Sequence, residues 1–114
     1  MGEFISAKKD LDELGATYVI TDVQGSKYWY IRSKPLDQYH REDGPTIDRA
    51  NYQAWYKFGK RHRIDGPAVI MDGDCEWWFE GIEVKIPLIY SEKAALEFFK
   101  LRVLELKVQS VLDS

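Results

Sequence analysis

The phrase YHREDGPTI at residues 39–47 returns as RHRIDGPAV at 61–69, and this near-repetition constrains the fold more than any other feature of the chain. Placing His40 on His62 sets an offset of 22 residues. The same offset pairs Arg41 with Arg63, Asp43 with Asp65, Gly44 with Gly66 and Pro45 with Pro67, and further on Trp55 with Trp77, Tyr56 with Trp78 and Gly59 with Gly81. A degenerate earlier copy, KYWYIR, fits if SKPLDQY carries an insertion before His40. Self-similarity at a fixed short period marks an architecture built from one supersecondary unit stacked on copies of itself.

The unit reads as a hairpin of about two short strands. In DGP the Asp can bond its own backbone, the Gly tolerates unusual dihedrals, and the Pro fixes φ and cannot continue a ladder, so DGP marks a turn followed by a strand start. AVIMDGD then runs into a Gly turn and CEWWFEG returns to a second Gly. Strand side chains alternate, so Trp55 and Trp77 are expected on one face of the sheet and Tyr56 and Trp78 on the other. Both faces are then aromatic, and the second needs a cover.

The flanks supply helices. SAKKDLDELG predicts a short N-terminal helix with Ser6 as N-cap and Gly15 at C′. ATYVITD, VQGS and KYWYIR then read as strand, turn, strand. Residues 88–113 lack Gly and Pro, and Ser91 suits an N-cap, which predicts a long C-terminal helix. Ala95, Leu96, Phe99, Val103 and Leu106 form one apolar stripe on it, and Leu101, Leu104, Val108, Val111 and Leu112 form another. One stripe packs on the sheet; the other calls for the N-terminal segment or a second copy of the chain, so self-association through this helix is one of two open expectations. The predicted fold is α+β in a single domain. Residues 1–24 hold the N-terminal helix and first strand, 25–84 the twisted antiparallel sheet of repeated hairpins, and 88–113 the C-terminal helix.

Charge and composition exclude several functions. Sixteen basic residues against nineteen acidic ones leave a net charge of −3, so no global positive field draws in nucleic acid. The lone Cys75 can form no internal disulfide and has no zinc-ligand spacing around it, which points to a reduced, cytoplasmic setting. No secretion signal is visible, and no segment reaches the ~20 apolar residues of a membrane span. His40 with Asp43 and His62 with Asp65 permit a metal site by spacing. Stacked repeats nonetheless place like residues together by construction, and a His bonding backbone across a turn capped by Asp is the favoured role. No Ser or Cys sits in a nucleophile motif, and Cys75 has no evident activating base. Neither an enzyme nor a bound cofactor is expected.

WYKFGKRHRIDGPAVIMDGDCEWWFEG resembles the repeat of the MORN superfamily, and more closely a variant group of small bacterial and phage proteins in which HREDGPA recurs between hairpins. The matching residues are Trp55, Gly59, Lys60, His62, Arg63, Asp65, Gly66, Pro67, Ala68, Trp77 and Gly81, with His40–Pro45 in the preceding unit. The resemblance covers roughly residues 25–84 and departs from the ordinary MORN pattern in having Arg63 where a Gly usually follows the His. It implies an elongated sheet used as a scaffold or binding surface. From it, and from the small size, the expected function is non-catalytic protein binding by a phage or bacterial accessory factor that inhibits a host defence or nucleic-acid-processing protein. The expected binding surface is the face around Tyr56 and Trp78, with Tyr52 and the charges Lys57, Lys60, Arg61, Arg63, Glu76 and Glu80. The alternative is a nucleotide or small-ligand site on the same basic and aromatic residues, since cations interleaved with aromatics can stack on bases. An acidic patch of Asp72, Asp74, Glu76, Glu80 and Glu83 offers a basic partner protein a second docking surface. No membrane partner is expected.

Overall fold

The computed structural model of the chain describes residues 13–113. Among these residues ten strands precede one helix. They are β1 (Thr17–Thr21), β2 (Lys27–Ile31), β3 (Gln38–Tyr39), β4 (Ile47–Arg49), β5 (Tyr52–Ala54), β6 (Tyr56–Lys57), β7 (Lys60–Arg61), β8 (Val69–Met71), β9 (Asp74–Phe79) and β10 (Ile82–Val84), followed by α1 (Glu92–Asp113). Eight strands form an antiparallel sheet in the order β1-β2-β4-β5-β8-β9-β10, with β3 also on β2, while β6 and β7 pair beside it. The fold is thus α+β with a long antiparallel sheet. The N-terminal helix expected before Gly15 falls almost wholly outside the described residues.

The hairpin turns follow from local chemistry. Phe58–Gly59, Asp72–Gly73 and Glu80–Gly81 each hold two successive residues at positive φ, the arrangement whose twist matches that of paired strands. The unit is richer than two strands. Within β2, residues Lys27 and Tyr28 pair with β4 while Tyr30 and Ile31 pair with β3. At the changeover, Trp29 donates its N–H to the carbonyl of Thr46 and accepts the N–H of His40. The next unit repeats this: Trp55 donates to Ala68 and accepts from His62, between β5, which pairs with β8, and β6, which pairs with β7. HREDGP and HRIDGP are therefore excursions from one long strand, leaving as one short partner and returning as another.

Each excursion folds its arginine back over the tryptophan at the changeover. The Arg41 guanidinium lies 3.8 Å from the Trp29 ring centroid and that of Arg63 lies 3.9 Å from Trp55. Arg41 Nε donates to Asp43 and its Nη1 to the carbonyl of Pro45; Arg63 does the same with Asp65 and Pro67, at matching distances of 2.9 and 3.0 Å. The two Asp side chains thus hold arginines, where the sequence had them capping turns. Beneath the guanidinium runs the backbone of Gly44 or Gly66: a Cβ there would stand 2.8 Å from the arginine Cζ. This close approach is why the middle residue of DGP is glycine. The third tryptophan, Trp77, has no arginine loop after it, and Phe99 of α1 covers it at 5.1 Å between centroids.

Helix α1 docks through Ala95, Phe99 and Val103, which are buried, onto Phe79 and Val84, with Trp77, Ile86, Phe98 and Leu106 packed around them. Ser91 caps it, its hydroxyl accepting the N–H of Ala94. The helix begins at Glu92 and not at residue 88 because Pro87 to Tyr90 close a separate turn first. The outer stripe of Leu101, Leu104, Val108, Val111 and Leu112 stays exposed.

Gly66→Ala is expected to push Arg63 off Trp55 and cost about 1–2 kcal/mol, the worth of one stacked, hydrogen-bonded cation. In an Arg63→Ala background the same change should be nearly neutral, because the clash is with the side chain that has been removed. Urea denaturation of the four proteins of this cycle measures the coupling, and additive losses would contradict it.

Candidate functional site

The alternation of the long strands sends Trp29, Trp55 and Trp77 to one face, where arginines or α1 cover them. It sends Tyr56 and Trp78 to the other. On that second face a narrow floor of Ile47, Ala54 and Val69 is buried under Tyr28, Tyr39, Tyr52, Tyr56 and Trp78. The rings roof the floor with one side and meet solvent with the other, since each is half-buried. A row of tyrosines runs along the face: Tyr18 on Tyr30 at 5.4 Å, Tyr30 on Tyr39 at 5.0 Å, and Tyr39 on Tyr56 at 5.2 Å. The row crosses four strands because cross-strand register aligns Tyr18 with Tyr30 and Tyr30 with Tyr39.

Charged groups frame the row at both ends. At one end Arg61 Nε donates to the Tyr56 hydroxyl at 3.2 Å, its guanidinium lies 5.1 Å from the Trp78 ring centroid, and its Nη1 is 3.8 Å from Glu76. Glu76 also accepts the Trp78 indole N–H at 2.9 Å. At the other end the Tyr18 hydroxyl donates to Asp37, which Arg32 also holds at 2.8 Å. The Tyr18 hydrogen bond, with help from Arg32, keeps the Asp37 carboxyl below its usual range, while burial and then Asp37 itself push the Tyr18 phenol up. Tyr39 is likewise raised by burial. These phenols remain protonated donors.

The structure divides the nine residues singled out in the sequence. Tyr52, Tyr56, Arg61, Glu76 and Trp78 come together on the tyrosine face. Arg63 does not join them; it is spent on Trp55 on the opposite face. Lys57 is paired with Lys60 across the tip of the β6–β7 hairpin, Lys60 lies along Gly81, and Glu80 begins the next turn. Of the acidic patch, Asp74, Glu76 and Glu83 share one face of β9 and β10, Glu83 standing opposite Trp78 and paired with Lys85 at 3.0 Å, while Asp72 and Glu80 sit at the hairpin turns. Sequence reasoning missed Tyr18, Tyr30 and Tyr39, whose link to Tyr56 is spatial, and Asp37, which sits in the inserted stretch.

The two histidines bond backbone, though that of the neighbouring unit. His40 Nδ1 accepts the N–H of Phe58 and His62 Nδ1 accepts that of Glu80, both at 3.0 Å. Gly59 and Gly81 donate in parallel to the carbonyls of Tyr39 and Arg61. Each histidine therefore fastens the next hairpin's turn, and its accepting nitrogen must be free of a proton. Among the described residues no group of three or more His, Cys, Asp and Glu could hold a metal. Burial, and then the charges of Glu92 and Asp74, raise the Cys75 thiol, which opposes thiolate formation. No described helix is long and apolar enough to cross a membrane. No family model, curated protein or solved structure matches this chain.

Burial, and secondarily the Lys57 charge, lowers the His62 pKa from its ordinary 6.5. The unfolded chain then takes up this proton before the folded one, so stability present above about pH 6.5 is lost as pH falls below it. The lowered Asp37 and Asp43 act only below about pH 4. Urea midpoints are expected to drop between pH 7.5 and 5.5, and His62→Gln should flatten that drop. An unchanged slope would remove His62 as its source.

Proposed function

We propose that this chain is a non-catalytic protein-binding module whose binding surface is the tyrosine face, in a small phage or bacterial accessory factor that inhibits a host defence or nucleic-acid-processing protein. The observation that carries the reading is the stacked row Tyr18–Tyr30–Tyr39–Tyr56, continued by Trp78 and roofing a thin apolar floor. Tyrosines held by their neighbours lose little entropy on binding and offer both apolar area and hydroxyls, which is the chemistry of interface hot spots. The MORN-like resemblance supports the same use of an extended sheet as a docking surface.

A second reading, a nucleotide or small-ligand site, draws on a cleft of about 540 Å³ between the two arginine loops, lined by Trp55, Tyr56, Lys57 and His62 among others. It ranks lower because Arg41 and Arg63, the cations that would hold an anion there, already bind their own Asp and Pro partners.

Capture from bacterial lysate distinguishes the readings. Wild type should retain a protein that Tyr30→Ala and Trp78→Ala lose, with fold checked by circular dichroism, while Lys57→Ala retains it. A partner list unchanged by the two aromatic variants would overturn this choice of face. A small molecule found by native mass spectrometry and lost on Lys57→Ala would favour the cleft.

A further inference from the structure

We propose that two copies of this chain pair through the outer stripe of α1 as a parallel, two-stranded coil. Leu101, Leu104, Val108, Val111 and Leu112 are each more than half exposed. The first four are spaced three, four and three residues apart, the a and d positions of two heptads. Glu97, one heptad before Leu104, interrupts the seam and fixes its start. At about 100° per residue this stripe lies nearly opposite the buried Ala95, Phe99 and Val103, so a second helix meets α1 on the side away from the sheet. The two sheets then lie outermost and do not collide. A concavity lined by Leu101, Leu104, Glu105, Val108 and Gln109 sits where a partner's side chain would insert.

Charge complementarity selects a second copy and its direction. Lys100 flanks the seam at a g position and Glu105 flanks it on the other side at an e position, both exposed; Glu105 also holds Arg102 of its own helix at 2.5 Å, a solvent-exposed pair that leaves its second carboxylate oxygen for the mate. In a parallel pair the g residue of one helix faces the e residue five positions on in its mate, which brings Lys100 to Glu105 twice by symmetry. Antiparallel pairing sets like flanks together. Lys107, at the following g position, leans instead toward its own sheet, 5.9 Å from the Phe79 ring centroid. Val108 at a and Leu104 at d match the two-stranded preference while Leu101 at a and Val111 at d do not, so the charged flanks and the shortness of the seam carry the choice of two strands. This pairing is independent of what the tyrosine face binds, and it would make that face bivalent.

A two-heptad seam is smaller than the about 800 Å² per partner of a standard interface, so the dimer should dissociate on dilution. Sedimentation equilibrium of the full chain across micromolar to millimolar concentrations is expected to show monomer and dimer. Leu104→Glu should raise Kd at least about tenfold. Lys100→Glu and Glu105→Lys should each weaken self-association, and an equimolar mixture of the two should associate more strongly than either alone. In a Cys75→Ser background, Val111→Cys should cross-link under mild oxidation, as parallel register requires. A strict monomer, a trimer or tetramer, or a dimer indifferent to Leu104→Glu would overturn the proposal. So would a chain that associates only after residues 1–12 are removed, since the stripe would then be covered by its own N-terminal segment.

Discussion

The guanidinium clamped between an indole ring and a glycine backbone is the contact on which the sheet depends. It occurs twice with the same partners and nearly the same distances, once over Trp29 and once over Trp55. Each clamp closes an excursion in which the chain leaves one long strand and returns to it, and a loop of that kind needs something to hold it flat. The arginine does so by three contacts at once: its plane on the ring, Nε on the aspartate, and Nη1 on the carbonyl after it. Because the base of the stack is backbone, the residue beneath must be glycine. The recurring Arg, Asp, Gly and Pro are thus parts of one joint, and the preceding His ties that joint to the turn of the next hairpin.

This solution suits a sheet that has little core. The apolar residues buried among those described are confined to a floor of Ile47, Ala54 and Val69, a cluster under α1, and the small Ala68 and Ala95. An elongated body of 58 × 40 × 19 Å has no centre to fill. Stacked cations and rings substitute for depth, with the arginine clamps on one face and the tyrosine row on the other. Where the arginine series ends, Phe99 takes its place over Trp77, so the helix acts as the cap that a repeating sheet needs at its end. The opposite face is left to a row of tyrosines that is open to solvent, and this division of labour is what makes it available for binding.

Much of this was legible in the sequence. Period, turn chemistry and the alternation of Trp with Tyr or Trp yield the hairpins and the two aromatic faces, and apolar spacing yields both stripes of α1. The joint itself was half visible. Arg63 recurs at the 22-residue offset from Arg41, and the structure uses it over Trp55. Its partner could not be read off, because the ring lies eight residues upstream in one unit and twelve in the other. Thr46 shows the same limit: its offset partner is Ala68, and only the threonine hydroxyl bonds across to the backbone of Tyr56, at both N–H and carbonyl. The Tyr18–Asp37–Arg32 group escaped because insertions fall outside the period. The charges grouped as one basic patch were separated by the alternation of neighbouring residues between opposite sides.

Arginine acts in this joint as a plane and not merely as a charge. Substituting Arg63 by lysine separates the two, since lysine keeps the cation near Asp65 but has no planar fork to lie on Trp55 and reach the Pro67 carbonyl together. The free energy of unfolding of Arg63→Lys, compared with Arg63→Ala, tests this directly. If the clamp is as described, lysine loses most of what alanine loses; a lysine variant as stable as wild type would show that the ion pair alone holds the joint, and would contradict it.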